Sequence, residues 1–240
     1  MELQEFKNSF SQKANKLGIN ISNNEMEEYY KYMNLLINWN EKMNLTAITE
    51  PNDIIDKHFI DSITILKYIE SNKNIIDVGT GAGFPGIPIK ILRKNNNITL
   101  LDSLNKRLNF LNEVIDQLEL KEISTFHSRI EDAGQDKNLR KKFDIVTSRA
   151  VASLNVLAEY MIPLVKINGI CICMKGSNIE EEIKDAKNAI EVLGGKIEKI
   201  DTIILPGTDM SRNIIIIRKI KDTPSRFPRK AGIPSKNPIK

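Results

Sequence analysis

The chain has 240 residues, of which 41% are hydrophobic and 28% are charged. This composition excludes a disordered chain, and the length allows one large domain or one domain with a small helical appendage. Residues 1–17 are charged and lack the apolar core of a signal peptide, and no window of the sequence approaches the roughly 20 apolar residues of a membrane span. We therefore expect a soluble, cytoplasmic protein.

The net charge of +4 is unevenly distributed. Residues 218–240 carry eight lysines or arginines and one acid, so this end has a charge of +7 and residues 1–217 sum to −3. A basic end on a slightly acidic body favours an acidic partner, and nucleic acid is the obvious candidate. A solvated terminus explains the charge alone equally well.

The cysteines and histidines are too few for a metal site. Cys171 and Cys173 lie two apart in an apolar run, so in a strand they would face the same side, and we interpret them as buried, reduced thiols. The histidines are His58 and His127, and no zinc-site spacing exists. We expect no bound metal and treat His127 as structural or as a surface residue.

The pattern before residue 72 is helical. Asn23 or Asn24 can cap a first helix that ends near Asn40 and has apolar residues at intervals of three and four. A second amphipathic helix is predicted over residues 51–69.

After residue 72, short apolar strands alternate with helices, and this alternation predicts a mostly parallel sheet covered on both faces. Strands are predicted at residues 74–78, 98–102, 123–126, 143–147, 170–174, 196–205 and 213–219, and helices at 89–93, 106–118, 154–164 and 179–193. The connection between the last two strands contains no helix, so we expect an antiparallel hairpin there.

These elements predict an α/β fold in three parts. Residues 1–71 form a small N-terminal helical extension, residues 72–222 an α/β domain, and residues 223–240 a basic, proline-rich tail. Seven strands with an antiparallel last strand are typical of the Rossmann-like sheet of class I S-adenosylmethionine-dependent methyltransferases. Doubly wound dehydrogenase sheets are instead parallel at that end.

The strongest motif is the glycine-rich segment of residues 77–86, which directly follows the first predicted strand. Glycines there permit positive φ angles and let a ligand touch the backbone at the carboxyl edge of the sheet. One fitting pattern is the dinucleotide motif G-x-G-x-x-G, with Gly81, Gly83 and Gly86. The other is the methyltransferase motif D-x-G-x-G-x-G, with Asp77, Gly79, Gly81 and Gly83.

Two features favour the methyltransferase pattern. Asp77 stands where it can order the loop or meet the ammonium group of S-adenosylmethionine. Phe84 and Pro85 interrupt the start of the helix, and the missing proline N–H weakens a backbone cradle for pyrophosphate. S-adenosylmethionine has no phosphate and does not need that cradle.

Asp102 ends the second predicted strand, about 20 residues after the glycines, where a carboxylate can accept hydrogen bonds from both ribose hydroxyls. It would serve NAD and S-adenosylmethionine equally and would repel the 2′-phosphate of NADP. Capping of the next helix is the alternative, and the strand-end position favours binding. Ser103, Ile130 and Glu131 follow the second and third strands, and we expect them near the adenine.

The segment after the fourth strand, residues 147–152, lacks the Asn/Asp-Pro-Pro-Phe/Tyr motif of enzymes that methylate amino groups. C5 methylation of pyrimidines needs a nucleophilic cysteine, and both cysteines are predicted to be buried. A ring nitrogen with a free lone pair, such as guanine N7, requires alignment rather than a general base. We therefore predict no specific catalytic residue and keep Arg149 and His58 as candidates.

Several basic side chains are candidates for RNA contacts. Arg149 follows the fourth strand and could touch the cofactor or an RNA phosphate, whereas a surface arginine at that helix start would be unfavourable. His58 is equally consistent with a hydrogen-bonded, partly buried histidine and with a target-base contact. Positive charges at the strand ends would form a phosphate-binding rim, for which the candidates are Lys106, Arg107 and Lys175.

The tail contains Pro224, Pro228, Pro234 and Pro238, so we expect it to be extended and irregular. Its charges and its ring fit an RNA-binding segment, with Arg226, Phe227, Arg229 and Lys230 as the contacts. The alternative is that the tail wraps the edge of the sheet.

Eight short stretches of the sequence together match the motifs of one known family. They are residues 44–46, 58–62, 77–88, 102–103, 106–107, 148–152, 175–176 and 226–234. In this order they resemble the bacterial small-subunit ribosomal RNA guanine-N7 methyltransferases, also called glucose-inhibited division protein B. Thr80 stands where serine is frequent in that family. Phe227 stands where tyrosine is common, and base stacking remains open to it.

The resemblance implies methyl transfer from S-adenosylmethionine to N7 of one guanine in 16S ribosomal RNA of the small ribosomal subunit. It implies cofactor contacts from Gly79, Phe84, Asp102, Ser103, Ile130, Glu131 and Arg149, and Asn44 and His58 join the RNA-contact candidates. Two other functions fit the loop, a small-molecule methyltransferase and an NAD-dependent oxidoreductase.

Overall fold

The computed structural model describes residues 1–149, 152–177 and 179–240. Within these residues, seven strands form one sheet in the order β3-β2-β1-β4-β5-β7-β6. Their bounds are β1 Asn74–Val78, β2 Asn97–Asp102, β3 Ile123–His127, β4 Phe143–Arg149, β5 Val165–Lys175, β6 Gly195–Ile204 and β7 Ser211–Lys219. Strands β1 to β5 pair in parallel, and β7 lies antiparallel to both β5 and β6. The predicted fold class is confirmed.

Helices cover both faces of this sheet. They are α1 Leu3–Lys16, α2 Asn23–Asn40, α3 Pro51–Ile54, α4 Asp61–Ile63, α5 Gly86–Leu92, α6 Asn105–Gln117, α7 Ile130–Gln135, α8 Leu154–Met161, α9 Glu180–Val192 and α10 Ile233–Lys236. A π-helical segment, Ile55–Ile60, joins α3 to α4, and a 3₁₀ turn, Leu66–Tyr68, follows. The helix predicted over residues 51–69 is therefore not one regular α-helix.

The N-cap of helix α2 lies one residue before the first of the two predicted caps. Ser22 is the N-cap, and the prediction of Asn23 or Asn24 is wrong. The Ser22 hydroxyl accepts a hydrogen bond from the Glu25 N–H, while the Glu25 carboxylate accepts from the Ser22 N–H. This reciprocal pair satisfies two free donors at once, which a single asparagine cannot do.

Two apolar clusters form the core, one on each face of the sheet. The first joins the N-terminal helices to the sheet through fully buried rings, which are Phe6, Phe10, Tyr29, Tyr32 and Phe59. The second lies under α8 and α9 and contains Cys171 and Cys173, which are buried free thiols as predicted. The first cluster spans the predicted extension and the α/β part, and the boundaries after residues 71 and 222 stay predictions.

The tail packs onto the protein instead of remaining extended. Phe227 is 6% exposed within the second cluster, so its ring cannot stack on an RNA base, and that prediction is wrong. Arg140 donates to the backbone carbonyls of Thr223, Pro224 and Phe227, and α7 contributes the amide of Gln135, which donates to the Pro228 carbonyl. The tail thus covers α7 and α8.

Candidate functional site

A cavity of about 620 Å³ opens at the carboxyl ends of β1, β2 and β4, a volume ordinary for a cofactor site. We call it the carboxyl-edge pocket. The predicted site residues that line it are His58, Gly79, Gly81, Phe84, Asp102, Ser103, Arg107, Ile130, Glu131 and Arg149. Those that lie outside its walls are Asn44, Asp77, Gly83, Lys106, Lys175, Arg226, Phe227, Arg229 and Lys230.

The glycine loop forms the floor of the pocket. Gly79, Gly81 and Gly83 have φ angles of +67°, +62° and +97°, which L side chains rarely adopt. The N–H groups of Gly79 and Thr80 both donate to the Leu101 carbonyl, so the loop is fastened to the end of β2. A Cβ built on Gly81 would meet nothing within 4 Å and would project into open space. The backbone of this loop is therefore open to a ligand.

Asp77 orders this loop from beneath and is fully buried. Its carboxylate accepts hydrogen bonds from the Thr80 hydroxyl at 2.6 Å, the Gly86 N–H at 2.9 Å and the Thr147 hydroxyl at 3.3 Å. Burial raises the pKa of Asp77 to about 6, although these hydrogen bonds oppose the rise. Of the two predicted roles, Asp77 orders the loop. Its predicted contact with the cofactor's ammonium is wrong because the carboxylate does not reach the pocket.

Asp102 does reach the pocket, although it is only 2% exposed. One carboxylate oxygen accepts from the Gly81 N–H at 3.0 Å and from Arg107 Nη1 at 3.2 Å, and the other accepts from the Leu104 N–H at 2.9 Å. The carboxylate therefore ties the glycine loop to the start of α6. Leu104 is the N-cap position of α6, and no side chain caps this helix, so the capping alternative for Asp102 is wrong.

Arg149 is buried beside the pocket, with its side chain 15% exposed, and is not a surface arginine. Its guanidinium lies 4.9 Å from the centre of the Phe84 ring, and it donates to the Lys57 carbonyl and the Asp61 carboxylate. Asp61 also pairs with Arg212 at 3.1 Å. These contacts hold the charge of Arg149 inside the protein beside the pocket, and its predicted contact, with the cofactor or with an RNA phosphate, stays a prediction.

His58 is held between these groups. Its ring stacks on Phe84 at a centroid distance of 4.2 Å, and Arg149 Nη2 lies 2.9 Å from its Nδ1. Arginine can only donate, so Nδ1 accepts and the proton of the neutral ring lies on Nε2. Burial, together with the charge of Arg149, lowers the pKa of His58 to about 3. The side chain is therefore neutral at physiological pH.

A family model described as rRNA small subunit methyltransferase G matches residues 25–214. The relative with that description from Clostridium perfringens (strain SM101 / Type A) is 54% identical over 93% of this chain and 95% of its own length. The chain belongs to the rRNA small subunit methyltransferase G family. The relative from Desulforamulus reducens agrees, at 52% identity over 96% of this chain and 97% of its own length.

The fold is also similar to that of solved structures. The crystal structure of M. jannaschii TYW2 in complex with AdoMet matches with a TM-score of 0.54 and 16% identity over 68% of this chain and 76% of that chain. At this identity the likeness concerns the fold alone. The family membership confirms the predicted enzyme class and cofactor: the chain is an S-adenosylmethionine-dependent methyltransferase. The oxidoreductase alternative is wrong.

The pocket also contains residues that no sequence pattern had indicated as site residues. They are Leu45, Thr46, Thr80, Ala82, Arg129, Ala152, Tyr160, Gly232 and Ser235. The tail reaches the pocket at Glu131, whose carboxylate accepts a hydrogen bond from the Gly232 N–H at 2.9 Å. Thr46 and Gly232 lie inside stretches that match the family, and this match could have indicated them as site residues. Tyr160 lies on a helix with no motif.

Two of the side chains predicted to contact RNA form ion pairs within the protein. Lys175 pairs with Glu182 at 2.8 Å, and Arg229 pairs with Glu159 at 2.6 Å. In the protein without RNA their charges are thus compensated by carboxylates, and their RNA contacts stay predictions. Asn44, Lys106, Arg226 and Lys230 are exposed.

Within residues 1–149, 152–177 and 179–240, no group of three or more His, Cys, Asp or Glu side chains is arranged to hold a metal ion. Over the same residues, no helix has the length and apolar character to cross a membrane. Ala150 and Val151, which belong to one of the matching stretches, lie outside the described residues.

Proposed function

We propose that this enzyme transfers a methyl group from S-adenosylmethionine to N7 of a guanine in the 16S RNA of the small ribosomal subunit. The observation that carries the proposal is the carboxyl-edge pocket, floored by the glycine loop, in a chain whose relatives are named for the small-subunit ribosomal RNA. A ribosomal substrate also implies a cytoplasmic location, which is part of the proposal.

The residues of the pocket fit the cofactor. Gly79 and Gly81 offer bare backbone to it, and Asp102 offers a buried carboxylate at the wall. Ser103, Ile130 and Glu131 form the adjacent wall, where we propose that they hold the adenine, while Phe84 and Arg149 close the inner end. When bound, S-adenosylmethionine supplies an electrophilic methyl group.

Arg107 explains how Asp102 can accept two ribose hydroxyls. The carboxylate has about four lone-pair sites, and three are used by Gly81, Leu104 and Arg107. The two backbone donors are fixed by the fold. The Arg107 side chain is 34% exposed, so it can turn away and release the second site. We propose that this exchange accompanies cofactor binding and turns Arg107 towards RNA.

The chain's own chemistry in the pocket is alignment. Guanine N7 carries a lone pair and no proton, so its methylation requires no general base. Neutral His58 and the Phe84 ring form an uncharged wall against which a base can be placed. Thr147 and Ser148 are fully buried and bonded to Asp77 and the Val78 carbonyl. They are therefore committed to the fold.

RNA contacts are proposed for exposed residues near the pocket and in the tail. Asn44 and Lys106 flank the pocket residues Leu45 and Arg107 in sequence, and Arg226 and Lys230 leave the packed tail at its surface. The charges of Lys106, Arg226 and Lys230 and the amide of Asn44 would contact phosphates, which position an RNA without reading its sequence.

The test is incorporation of labelled methyl into 16S RNA and into small subunits from cells that lack this protein. We expect one modified guanine, located by chemical cleavage specific for N7-methylguanine. Asp102→Ala, with its fold verified, is the control and should abolish the labelling. A cofactor-saturated enzyme that labels neither substrate would contradict the proposal and favour a small-molecule methyltransferase.

A further inference from the structure

Thr46 lines the carboxyl-edge pocket but is not among the residues proposed to hold the cofactor. The backbone around it is fixed from the end of α2, where Asn40 Oδ1 accepts hydrogen bonds from the N–H groups of Leu45 at 2.7 Å and Thr46 at 2.9 Å. The hydroxyl of Thr46 is thus held in a defined place at the wall.

Both acceptor positions of this hydroxyl are occupied. The Ile48 N–H donates to Thr46 Oγ1 at 3.1 Å. His58 Nε2 lies 3.0 Å from the same oxygen, and Nε2 carries the proton because Nδ1 accepts from Arg149. The opposite arrangement would set an N–H of His58 against an N–H of Arg149, and arginine has no acceptor. His58 therefore donates to Thr46.

A hydroxyl has two lone pairs and one proton, so Thr46 with both lone pairs used can only donate. Within the part of the chain that the structure describes, no protein acceptor takes this proton. The network from Asp61 through Arg149 and His58 thus ends in a hydroxyl that presents a hydrogen-bond donor to the pocket. Such a donor selects a ligand that has an acceptor at that point.

We propose that Thr46 donates to O6 of the target guanine and so selects guanine over adenine. This rests on the proposed function. Adenine also has an N7 lone pair, so an N7 methyltransferase needs a contact that separates the two purines. Guanine carries the acceptor O6 beside N7, whereas adenine carries an amino donor there. Thr46 would meet that amino group donor to donor, which disfavours adenine. His58 is then a positioning residue that fixes the direction of the Thr46 proton.

The experiment uses 16S RNA with the mapped target nucleotide replaced by 2-aminopurine, which keeps N7 and the 2-amino group but lacks O6. Wild-type enzyme, Thr46→Val and Thr46→Ser are compared on both RNAs, and kcat/KM is measured with cofactor affinity. Thr49→Val is the matched control, because Thr49 is exposed and does not line the pocket.

On guanine, Thr46→Val should lose roughly tenfold in kcat/KM, the size of one hydrogen bond, and Thr46→Ser should retain most of the activity. On the 2-aminopurine RNA, the kcat/KM of wild-type enzyme should fall by a similar factor relative to the guanine RNA. On that RNA, Thr46→Val should have the same kcat/KM as wild type. Thr49→Val should resemble wild type on both RNAs, and cofactor affinity should stay unchanged throughout.

An equal loss for Thr46→Val on both RNAs would overturn the proposal, because the residue would then be only structural. No loss on guanine would also overturn it. If valine disturbs the loop and lowers cofactor affinity, wild type and Thr46→Ser decide, since each must still prefer guanine over 2-aminopurine. Failure of the proposed function is distinct: wild-type enzyme would then methylate no guanine at all.

Discussion

Two buried groups beside the pocket have pKa values displaced in directions that favour their neutral forms. Burial raises the pKa of Asp77 to about 6 and lowers that of His58 to about 3. Their contributions to the free energy of unfolding therefore depend on pH with opposite signs. The Arg149 contact that makes His58 a donor to Thr46 also helps burial to lower its pKa, so His58 is a source of acid sensitivity.

We predict that His58→Gln reduces the acid sensitivity of the fold. Between the ordinary histidine pKa of about 6.5 and the folded value of about 3, the unfolded chain binds a proton that the folded chain refuses. The stabilisation from His58 is complete above that window and is lost as pH falls through it, by about 1.4 kcal/mol per pH unit. Urea unfolding at pH 7, 6 and 5 measures it as the difference between wild type and variant.

Asp77→Asn is the matched comparison with the opposite sign. The folded protein holds a proton on Asp77 between pH 3.8 and about 6, so this stabilisation is present at low pH and is lost as pH rises through about 6. The difference between wild type and Asp77→Asn should therefore grow as pH falls, while that for His58→Gln shrinks. Parallel trends for the two variants would contradict both assignments.

At the scale of elements, the glycine loop contains two glycines with different duties. Gly83 faces the core: a Cβ there would lie 2.7 Å from the Tyr32 hydroxyl oxygen and 2.7 Å from Ile87 Cδ1. The Tyr32 hydroxyl is itself bonded to the Ala82 carbonyl, so it cannot move freely. Gly81 faces the pocket, and a Cβ there meets nothing within 4 Å. One glycine allows close packing, and the other keeps the ligand surface bare.

We predict that Gly83→Ala and Gly81→Ala separate stability from binding. Gly83→Ala combines a strained φ of +97° with overpacking and should lower the free energy of unfolding by roughly 3 kcal/mol. Gly81→Ala adds only backbone strain, about 1 kcal/mol, but should weaken cofactor binding. Urea unfolding and calorimetric titration with S-adenosylmethionine measure the two effects. A Gly81→Ala variant that binds the cofactor normally would contradict the role given to the bare loop.

Sequence periodicity predicted elements better than it predicted contacts. The central parallel strands are short segments rich in buried isoleucine, leucine and valine, and the loop motif marked the end of β1, so the sheet and the pocket floor were predicted. Helix α1 was not predicted as an element, although its buried residues Phe6, Phe10 and Ala14 recur every four positions and form the apolar stripe of an amphipathic helix. Helix α7 was not predicted either, because it is short and contains Gly134, and glycine is a poor helix former. The glycine is required there because a Cβ would collide with Pro228.

The inner wall of the pocket depends on pairs that no local pattern encodes. Arg149 and His58 are 91 residues apart, and Arg212 and Asp61 are 151 apart. Glycine and carboxylate positions follow from the geometry of a strand end, whereas these pairings exist only after the helical extension has packed on the sheet. The sequence could therefore nominate both His58 and Arg149 without placing them in contact.

At the scale of the whole molecule, the basic tail is part of the folded body. Glu159 is 1% exposed, and its carboxylate accepts from the Arg229 backbone N–H and from its guanidinium at 2.6 to 3.2 Å. The neighbouring Lys230 is exposed. Two adjacent cations of the tail therefore have separate tasks, one in holding the tail to α8 and one available to RNA.

We predict that Arg229→Ala lowers stability without changing the salt dependence of RNA binding, and that Lys230→Ala does the reverse. Arg229→Ala leaves a buried carboxylate without its cation and should lower the free energy of unfolding by about 3 kcal/mol. Lys230→Ala should change it by less than about 0.5 kcal/mol. In RNA binding measured against salt concentration, Lys230→Ala should reduce the slope by about 1, because one phosphate contact is lost.

Folded Arg229→Ala, assayed well below its melting temperature, should keep the wild-type salt slope. A reduced slope for Arg229→Ala would show that its guanidinium leaves Glu159 for a phosphate in the complex. Unchanged slopes for both variants would remove this part of the tail from the RNA interface. The excess positive charge of the tail would then serve packing and solubility alone, and RNA attraction would fall to residues at the pocket rim such as Lys106 and Arg107.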